Sequence, residues 1–166
     1  PDSQDLCFVG EGSYRDFIRG RFPDAARPGP LVLSDGTLLA QHDGMVDFTI
    51  GQRKGLGVAL GERKYVVGIE PSTATVTLGS RQELLADGCV VDEVSFVAGQ
   101  PPAAMRVDVK IRYRSQAVPA QLSPTDGDTW LIRFDKPQLA VAPGQSAVFY
   151  VGDEVIGGGM ISEAMR

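Results

Sequence analysis

The sequence predicts a mainly β protein in which a first region of mixed α and β structure precedes an antiparallel β-barrel or β-sandwich of about six strands. From about Gly88 the chain consists of short runs rich in β-branched residues, with apolar and polar side chains in alternation. Turn-forming residues separate these runs roughly every 8 to 14 residues, a spacing typical of antiparallel barrels and sandwiches. Before Gly88 the pattern contains one helix signal and two hairpin signals.

The helix signal begins at Ser13, a candidate N-cap, and Pro23 ends the helical run. LVLSDGTLLAQHDG predicts a hairpin that turns at Asp35, and KYVVGIEPSTATVTLG predicts a second hairpin that turns at Pro71. The segment between them, FTIGQRKGLGVAL, is too irregular for a long helix or strand. SRQELLADG adds one predicted helical turn.

The barrel strands are predicted from five runs, the last of which folds back on itself at Gly152. Trp130 is one of several apolar residues at alternate positions of its run, so it is predicted to lie in the hydrophobic core. Tyr150 is a second candidate for the core. Cys89 is predicted to be a small buried hydrophobe. The glycines at 157–159 indicate a bulge or a tight barrel corner. The runs are CVVDEVSFV, MRVDVKIRYR, AVPAQLSP, TWLIRFDKP and SAVFYVGDEVIGGGMI.

The composition is that of a soluble globular protein, with 166 residues, 43% hydrophobic and 22% charged. No apolar run approaches the roughly 20 residues of a membrane span, so no membrane association is expected. The net charge of −5 argues against a nucleic-acid coat but leaves room for a local basic face. Two distant cysteines and one histidine predict neither a metal site nor a disulfide scaffold, and a reducing, cytoplasmic setting is expected. Because the chain begins at Pro1, we expect it to be a fragment.

MRVDVKIRYR concentrates positive charge on one predicted strand. Alternation places four cations and one acid on the same face and puts Tyr113 on the opposite, apolar face. This pattern fits either the solvated outer face of a barrel strand or a strand that contacts phosphates. The residues of the polar face are Arg106, Asp108, Lys110, Arg112 and Arg114.

Three further features carry open interpretations. TIGQRKGLG surrounds Gln52, Arg53 and Lys54 with glycines, which suits a phosphate, although a structural turn fits the spacing equally well. Gln145 follows a Pro-Gly turn and is predicted to project from the barrel rim at a hairpin end. His42 is predicted to be a turn or packing residue.

Cys7 has three interpretations: a buried hydrophobe, half of a disulfide, or a nucleophile. Its neighbours in the sequence include Asp2, Asp5 and Glu11, and no cation lies within seven residues. Nearby carboxylates raise the pKa of a thiol, which disfavours a thiolate nucleophile. Local chemistry therefore leaves the question open.

Five stretches together resemble the bacterial tRNA-specific 2-thiouridylases, which convert the wobble uridine of certain tRNAs to 2-thiouridine. They occur in the order found in that family and span nearly the whole chain. The stretches are DSQDLCFVGEGSYRDF, HDGMVDFTIGQRKGLGV, KYVVGIEP, KIRYRSQAVPA and FDKPQLAVAPGQSAVFYVGDEVIGGGMI.

The resemblance implies the domain organisation. Residues 1–11 would be the tail of a catalytic ATP-pyrophosphatase domain, 12–86 a central domain, and 87–166 a β-barrel of translation-factor type. ATP with Mg would bind in the catalytic domain, through a Ser-Gly-Gly-x-Asp-Ser loop that does not occur in this sequence. No cofactor is therefore expected to bind this chain, and the chain alone is expected to be inactive.

The resemblance also implies roles for residues. Cys7 would accept sulfur as a persulfide from a donor protein, deliver it to the uridine, and end in a disulfide with a cysteine outside this sequence. Arg112, Tyr113 and Gln145 would contact tRNA.

The stretch Gln52, Arg53 and Lys54 would make a further RNA contact. The expected partners are tRNA and the sulfur donor, and the protein is expected to be monomeric. Two alternatives remain open: a non-enzymatic β-barrel RNA-binding or interaction module with Cys7 inert, and an acidic β domain that docks onto a protein.

Overall fold

The structure is a computed structural model that describes residues 14–99, 103–113, 115–125 and 128–166. The chain divides into two compact units, the first ending at Arg81 and the second comprising Gln82–Arg166. The second unit thus begins a few residues before the boundary predicted at 86/87. Leu84 is buried, and the first barrel strand already pairs at Leu85 with Leu139. Cys7 and the predicted N-cap Ser13 lie outside the described residues.

The described part of the first unit contains one α-helix, short 3-10 turns and a four-stranded mixed sheet. The helix ends before Pro23, as predicted. Within the described ranges, no helix has the length and apolar character that crossing a membrane requires. The strand order is β2-β1-β4-β3, with β1 and β4 parallel and the other pairs antiparallel. The elements are α1 (Tyr14–Arg21), β1 (Gly29–Leu33), β2 (Leu38–His42), β3 (Tyr65–Glu70) and β4 (Thr75–Gly79), with 3-10 turns at Pro23–Ala26 and Met45–Asp47.

Both predicted hairpins of the first unit are present, and each turn is closed by a carboxylate. Asp35 accepts a hydrogen bond from the Thr37 amide at 2.9 Å. Glu70 accepts hydrogen bonds from the Ser72 amide at 3.0 Å and the Ser72 hydroxyl at 2.6 Å. These hydrogen bonds lower the pKa of both carboxyl groups. The side chains that favoured turns in the sequence therefore set the β1–β2 and β3–β4 connections.

His42 is a packing residue of the first unit, as its sequence context indicates. Its ring is buried and its Nε2 lies 2.9 Å from the carbonyl oxygen of Ala74. Nδ1 accepts a hydrogen bond from the Gly44 amide at 3.2 Å, so Nε2 carries the proton and donates to Ala74. With both nitrogens engaged, His42 has no free lone pair for acid–base work or metal binding.

The second unit is a closed six-stranded antiparallel barrel with the order β10-β5-β8-β7-β6-β9, which confirms the predicted class. A 3-10 turn at Gln82–Leu84 precedes it, where the sequence predicted a helical turn. Trp130 is buried in its core and packs edge-on against Phe96, with ring centres 4.9 Å apart. The strands are β5 (Leu85–Phe96), β6 (Met105–Lys110), β7 (Val118–Pro124), β8 (Trp130–Leu139), β9 (Ser146–Val151) and β10 (Glu154–Met165).

Strand β10 bends where its glycines lie, and the pairing register shifts beside them. A Cβ atom on Gly157 would lie 2.6 Å from the carbonyl oxygen of Ser95, and one on Gly159 would lie 2.6 Å from that of Asp92. The predicted bulged corner is therefore a close approach of β10 to β5 that admits only glycine.

Cys89 lies inside the barrel, as predicted. Its side chain is fully buried, and burial raises the pKa of the thiol to about 12. Cys89 is therefore a core side chain without thiolate character at neutral pH.

Candidate nucleic-acid interface

The end of β6 determines where Arg112 and Tyr113 point. The sequence predicted a strand through Arg114, but β6 ends at Lys110. The amide and the hydroxyl of Ser115 both donate to the carbonyl oxygen of Arg112, at 3.1 and 2.9 Å, and so form a turn. The prediction that Tyr113 lies on the apolar face is therefore wrong, because strand alternation has already stopped, and Tyr113 is 89% exposed.

This turn lines a cavity of about 510 Å³, which we call the barrel cleft. The pairing of Lys110 with Val148 brings the end of β6 beside the turn that precedes β9. Arg112, Tyr113 and Gln145 were predicted as tRNA contacts and come from two separate stretches of the sequence. They therefore meet in one cleft. Its lining residues are Lys110, Ile111, Arg112, Tyr113, Gln145, Ser146, Val148 and Tyr150.

The barrel cleft is positively charged. Lys110 and Arg112 are its cations, and none of its described lining residues is acidic. The Nζ atom of Lys110 lies 5.8 Å from the centre of the Tyr113 ring, within cation–π range. Arg112 donates through Nη2 to the carbonyl oxygen of Leu139, which fixes one side of the guanidinium and leaves its other N–H groups for a ligand.

Gln145 contributes an unsatisfied polar atom to the barrel cleft. Its backbone is held on both sides: the amide donates to Ala142 at 3.3 Å and the carbonyl accepts from Ile161 at 2.8 Å. Its side-chain Oε1 is buried and has no hydrogen-bond partner among the described residues. A buried acceptor without a donor costs roughly 1–3 kcal/mol, so this atom calls for an explanation. Because Oε1 is buried, a ligand N–H group in the cleft would reach it only after the Gln145 side chain turned outward.

Tyr150 is a cleft residue that the sequence reading placed in the core. In β9, Ala147 and Phe149 are buried in the barrel, so Val148 and Tyr150 point outward. Because successive side chains of a strand point to opposite faces, the inward position of Phe149 identifies its neighbour Tyr150 as outward-facing. The barrel cleft thus has two tyrosines, the exposed Tyr113 and the half-buried Tyr150.

Arg106, another cation of the predicted basic face, is paired elsewhere on the barrel. Arg106 donates two hydrogen bonds to the carboxylate of Asp135 on β8, one of them at 2.7 Å. These bonds lower the pKa of Asp135 and offset the charge of Arg106. The side chain of Arg114 lies outside the described residues. The solvated-face interpretation therefore fits Arg106, whereas Lys110 and Arg112 at the end of the strand line the barrel cleft.

The stretch around Gln52 lies in the first unit. The Gln52 carboxamide holds its own loop, since Oε1 accepts from the Thr49 amide at 2.9 Å and Nε2 donates to the Lys54 carbonyl at 3.0 Å. Both ends of that side chain are used internally, whereas Arg53 and Lys54 are exposed. Among the described residues, no group of three or more His, Cys, Asp or Glu side chains could hold a metal ion.

Two family models match the chain along these units. A tRNA methyl transferase PRC-barrel domain matches residues 15–80, and an aminomethyltransferase β-barrel domain matches residues 86–161. The chain is therefore of the class in which a PRC-barrel domain precedes a β-barrel domain, and the second match coincides with the observed closed barrel.

Curated relatives narrow this class. The tRNA-specific 2-thiouridylase MnmA of Desulforudis audaxviator is 42% identical over 165 residues, which are 99% of this chain and 48% of that protein. Its counterpart in Paramagnetospirillum magneticum is 44% identical over 160 residues, 96% of this chain and 43% of the relative. The chain belongs to the family of the tRNA-specific 2-thiouridylases, as its motifs indicated, and spans about half the length of these relatives.

Proposed function

We propose that this chain supplies the tRNA-binding surfaces and the sulfur-accepting cysteine of a tRNA 2-thiouridylase that thiolates the wobble uridine in an ATP-dependent reaction. The observation that carries the proposal is the barrel cleft, in which two cations, an exposed tyrosine and Gln145 converge. The names of the curated relatives support the substrate class.

Each group in the cleft has a role suited to unpaired RNA. Tyr113 offers a free ring face on which a base can stack. Arg112, anchored by Leu139, presents its remaining N–H groups to a phosphate. Gln145 accepts a hydrogen bond from a base N–H group. The cleft would therefore hold one splayed nucleotide by its phosphate, its ring and one polar edge.

Cys7 is the sulfur acceptor in this proposal. Of the two cysteines, Cys89 is buried in the barrel and its pKa is raised to about 12, so it is unsuited to attack a donor. The Cys7 thiolate would attack the sulfane sulfur of a donor persulfide, forming a new S–S bond and releasing the donor thiolate. The terminal sulfur would then displace the activated oxygen at C2 of uridine. A second cysteine thiolate of the intact protein would supply the electron pair that cleaves the S–S bond, leaving a disulfide with Cys7.

The residues of this chain do not fit ATP. The Ser-Gly-Gly-x-Asp-Ser loop does not occur in the 166 residues. Among the described residues, the glycine-rich segment around Arg53 leads into strand β3, so no helix N-terminus faces it. In this proposal, parts of the protein beyond these residues would activate the uridine.

Binding and sulfur transfer test the two halves of the proposal. In the intact protein that contains this chain, Arg112→Gln should weaken binding of a tRNA with uridine at the wobble position, and Arg133→Gln, which removes an exposed cation elsewhere on the barrel, should not. After incubation with a persulfide donor, mass spectrometry should find one added sulfur on the Cys7 peptide and none in Cys7→Ser. Equal binding by wild type and Arg112→Gln would refute the role of the cleft.

The non-enzymatic RNA-binding module is the second candidate, and the same experiment separates it. It shares the barrel cleft but gives Cys7 no role. tRNA binding that depends on Arg112, together with no added sulfur on the Cys7 peptide and no thiolation of tRNA by the wild-type intact protein, would establish this alternative.

A further inference from the structure

The segment 51–64, which we call the glycine-rich loop, contacts the rest of the first unit through one of its two sides. The Gly51 amide donates to the Val66 carbonyl at 2.8 Å, and the Gln52 carbonyl accepts from the Val66 amide at 2.9 Å. Farther along, three half-buried side chains pack against the core of the first unit. These are Leu56, Val58 and Leu60. Alternate residues between them are exposed, so the loop has an apolar inner side and a free outer side.

The outer side of the glycine-rich loop presents unused backbone donors. From Arg53 to Arg63, no backbone amide donates a hydrogen bond to another described residue. A Cβ atom on Gly57 or Gly61 would meet no atom within 4 Å, so the backbone is open to close approach. Gly57 also has a φ of +72°, which only glycine adopts readily. Exposed amides of this kind bind anionic oxygens.

The charges of the glycine-rich loop are also positive. Arg53 and Arg63 line a single cavity of about 590 Å³, and the exposed Lys54 follows Arg53 directly. The acid among the cavity's lining residues, Glu62, is bound to Lys64 at 2.8 Å. Among the described residues, Arg53, Lys54 and Arg63 form no ion pair. Their charge therefore remains available in a chain whose net charge is −5.

We propose that the glycine-rich loop binds a phosphodiester of the tRNA backbone, as a sequence-independent contact made by the first unit. Arg53 and Arg63 neutralise the phosphate from the two ends of the loop, and the free amides around Gly57 donate to its oxygens. Gln52 is a positioning residue, because its carboxamide closes the loop on which Arg53 lies. This proposal rests on the proposed function, and it adds Arg63 and the loop backbone to the RNA-binding surface.

The salt dependence of tRNA binding tests this proposal. Each phosphate contact contributes about 1 to the slope of log K against log [salt], so Arg53→Gln/Arg63→Gln, which removes the contact with one phosphate, should make the slope shallower by about 1. At about 0.1 M salt, this predicts a loss of affinity of roughly five- to tenfold for an unmodified tRNA transcript. Arg81→Gln removes an exposed cation of the same unit outside the cavity and should leave the slope unchanged.

A second pair of variants tests the loop without removing a native side chain. Gly61 has neither a positive φ nor a close neighbour that requires glycine, so Gly61→Glu and Gly61→Gln should both fold. The glutamate variant should weaken binding several-fold more than the glutamine variant, because it adds a negative charge beside the cavity.

The outcomes separate the two proposals. If the wild-type protein binds tRNA and Arg53→Gln/Arg63→Gln has the same salt slope as the wild type, the proposed loop contact is overturned, but the proposed function is not. Absence of tRNA binding by the wild-type protein overturns the proposed function as well. Saturable binding of ATP that depends on Arg53 and Arg63, with an unchanged tRNA slope, would assign the loop to a nucleotide instead of RNA.

Discussion

Replacing Gln145 by leucine should separate the stability of the barrel from its binding of RNA. In the free protein the buried Oε1 of Gln145 has no donor, a state that costs roughly 1–3 kcal/mol. Leucine is close to glutamine in size and carries no polar atom, and it would pack beside Ile111 and Val148 in the cleft wall. Gln145→Leu should therefore leave the free energy of unfolding unchanged or raise it by about 1 kcal/mol.

The same substitution should weaken tRNA binding. Loss of one hydrogen bond to a base corresponds to about 1 kcal/mol, which is roughly a fivefold increase in Kd. Urea denaturation gives the free energy of unfolding, and fluorescence anisotropy with a labelled tRNA gives Kd.

Gln138 provides the matched control. It lies half-buried in β8, and its Nε2 donates to the Lys136 carbonyl at 2.7 Å. Gln138→Leu should therefore lose about 1 kcal/mol of stability and leave Kd unchanged, the reverse of the result for Gln145. A Gln145→Leu protein that is destabilised by more than about 1 kcal/mol, or that binds tRNA normally, would refute the reasoning.

Three further outcomes are expected. Tyr113→Ala should keep wild-type stability, because the ring is 89% exposed, and should weaken tRNA binding by about 1–3 kcal/mol in the anisotropy assay; equal loss in Tyr113→Phe would exclude stacking. Burial raises the pKa of Cys89 from 9.0 to about 12. The contribution of Cys89 to the free energy of unfolding is therefore complete below about pH 9 and is lost as the pH rises from there towards about 12. Urea melts should show this decline in stability, and Cys89→Ala should make the decline smaller. Gly88→Ala should destabilise the barrel by at least 1–3 kcal/mol in urea melts, since its Cβ would lie 2.3 Å from the Ile132 carbonyl oxygen, whereas Gly61→Ala should melt like the wild type.

The barrel could be predicted from the sequence because alternation and turn residues specify it directly. Val107 and Val109 alternate with charged neighbours and are buried, and Trp130 is core as expected. The pairing of β1 with β4 could not be predicted, because parallel contacts between distant hairpins leave no local pattern.

The candidate site could be predicted residue by residue but not as an assembled cleft. The end of β6 at Lys110 depends on a turn closed by Ser115, which alternation alone does not indicate. The orientation of Tyr113 therefore escaped the sequence reading. The buried Oε1 of Gln145 is likewise a tertiary property, since it depends on which side chains surround the turn.

Ultraviolet cross-linking of the intact protein to tRNA, with adducts located by mass spectrometry, tests the central claim most directly. The account predicts adducts on Tyr113 or Tyr150, which line the barrel cleft, and a loss of these adducts in Arg112→Gln. Adducts confined to other faces of the barrel, or adducts at Tyr113 that persist unchanged in Arg112→Gln, would contradict it.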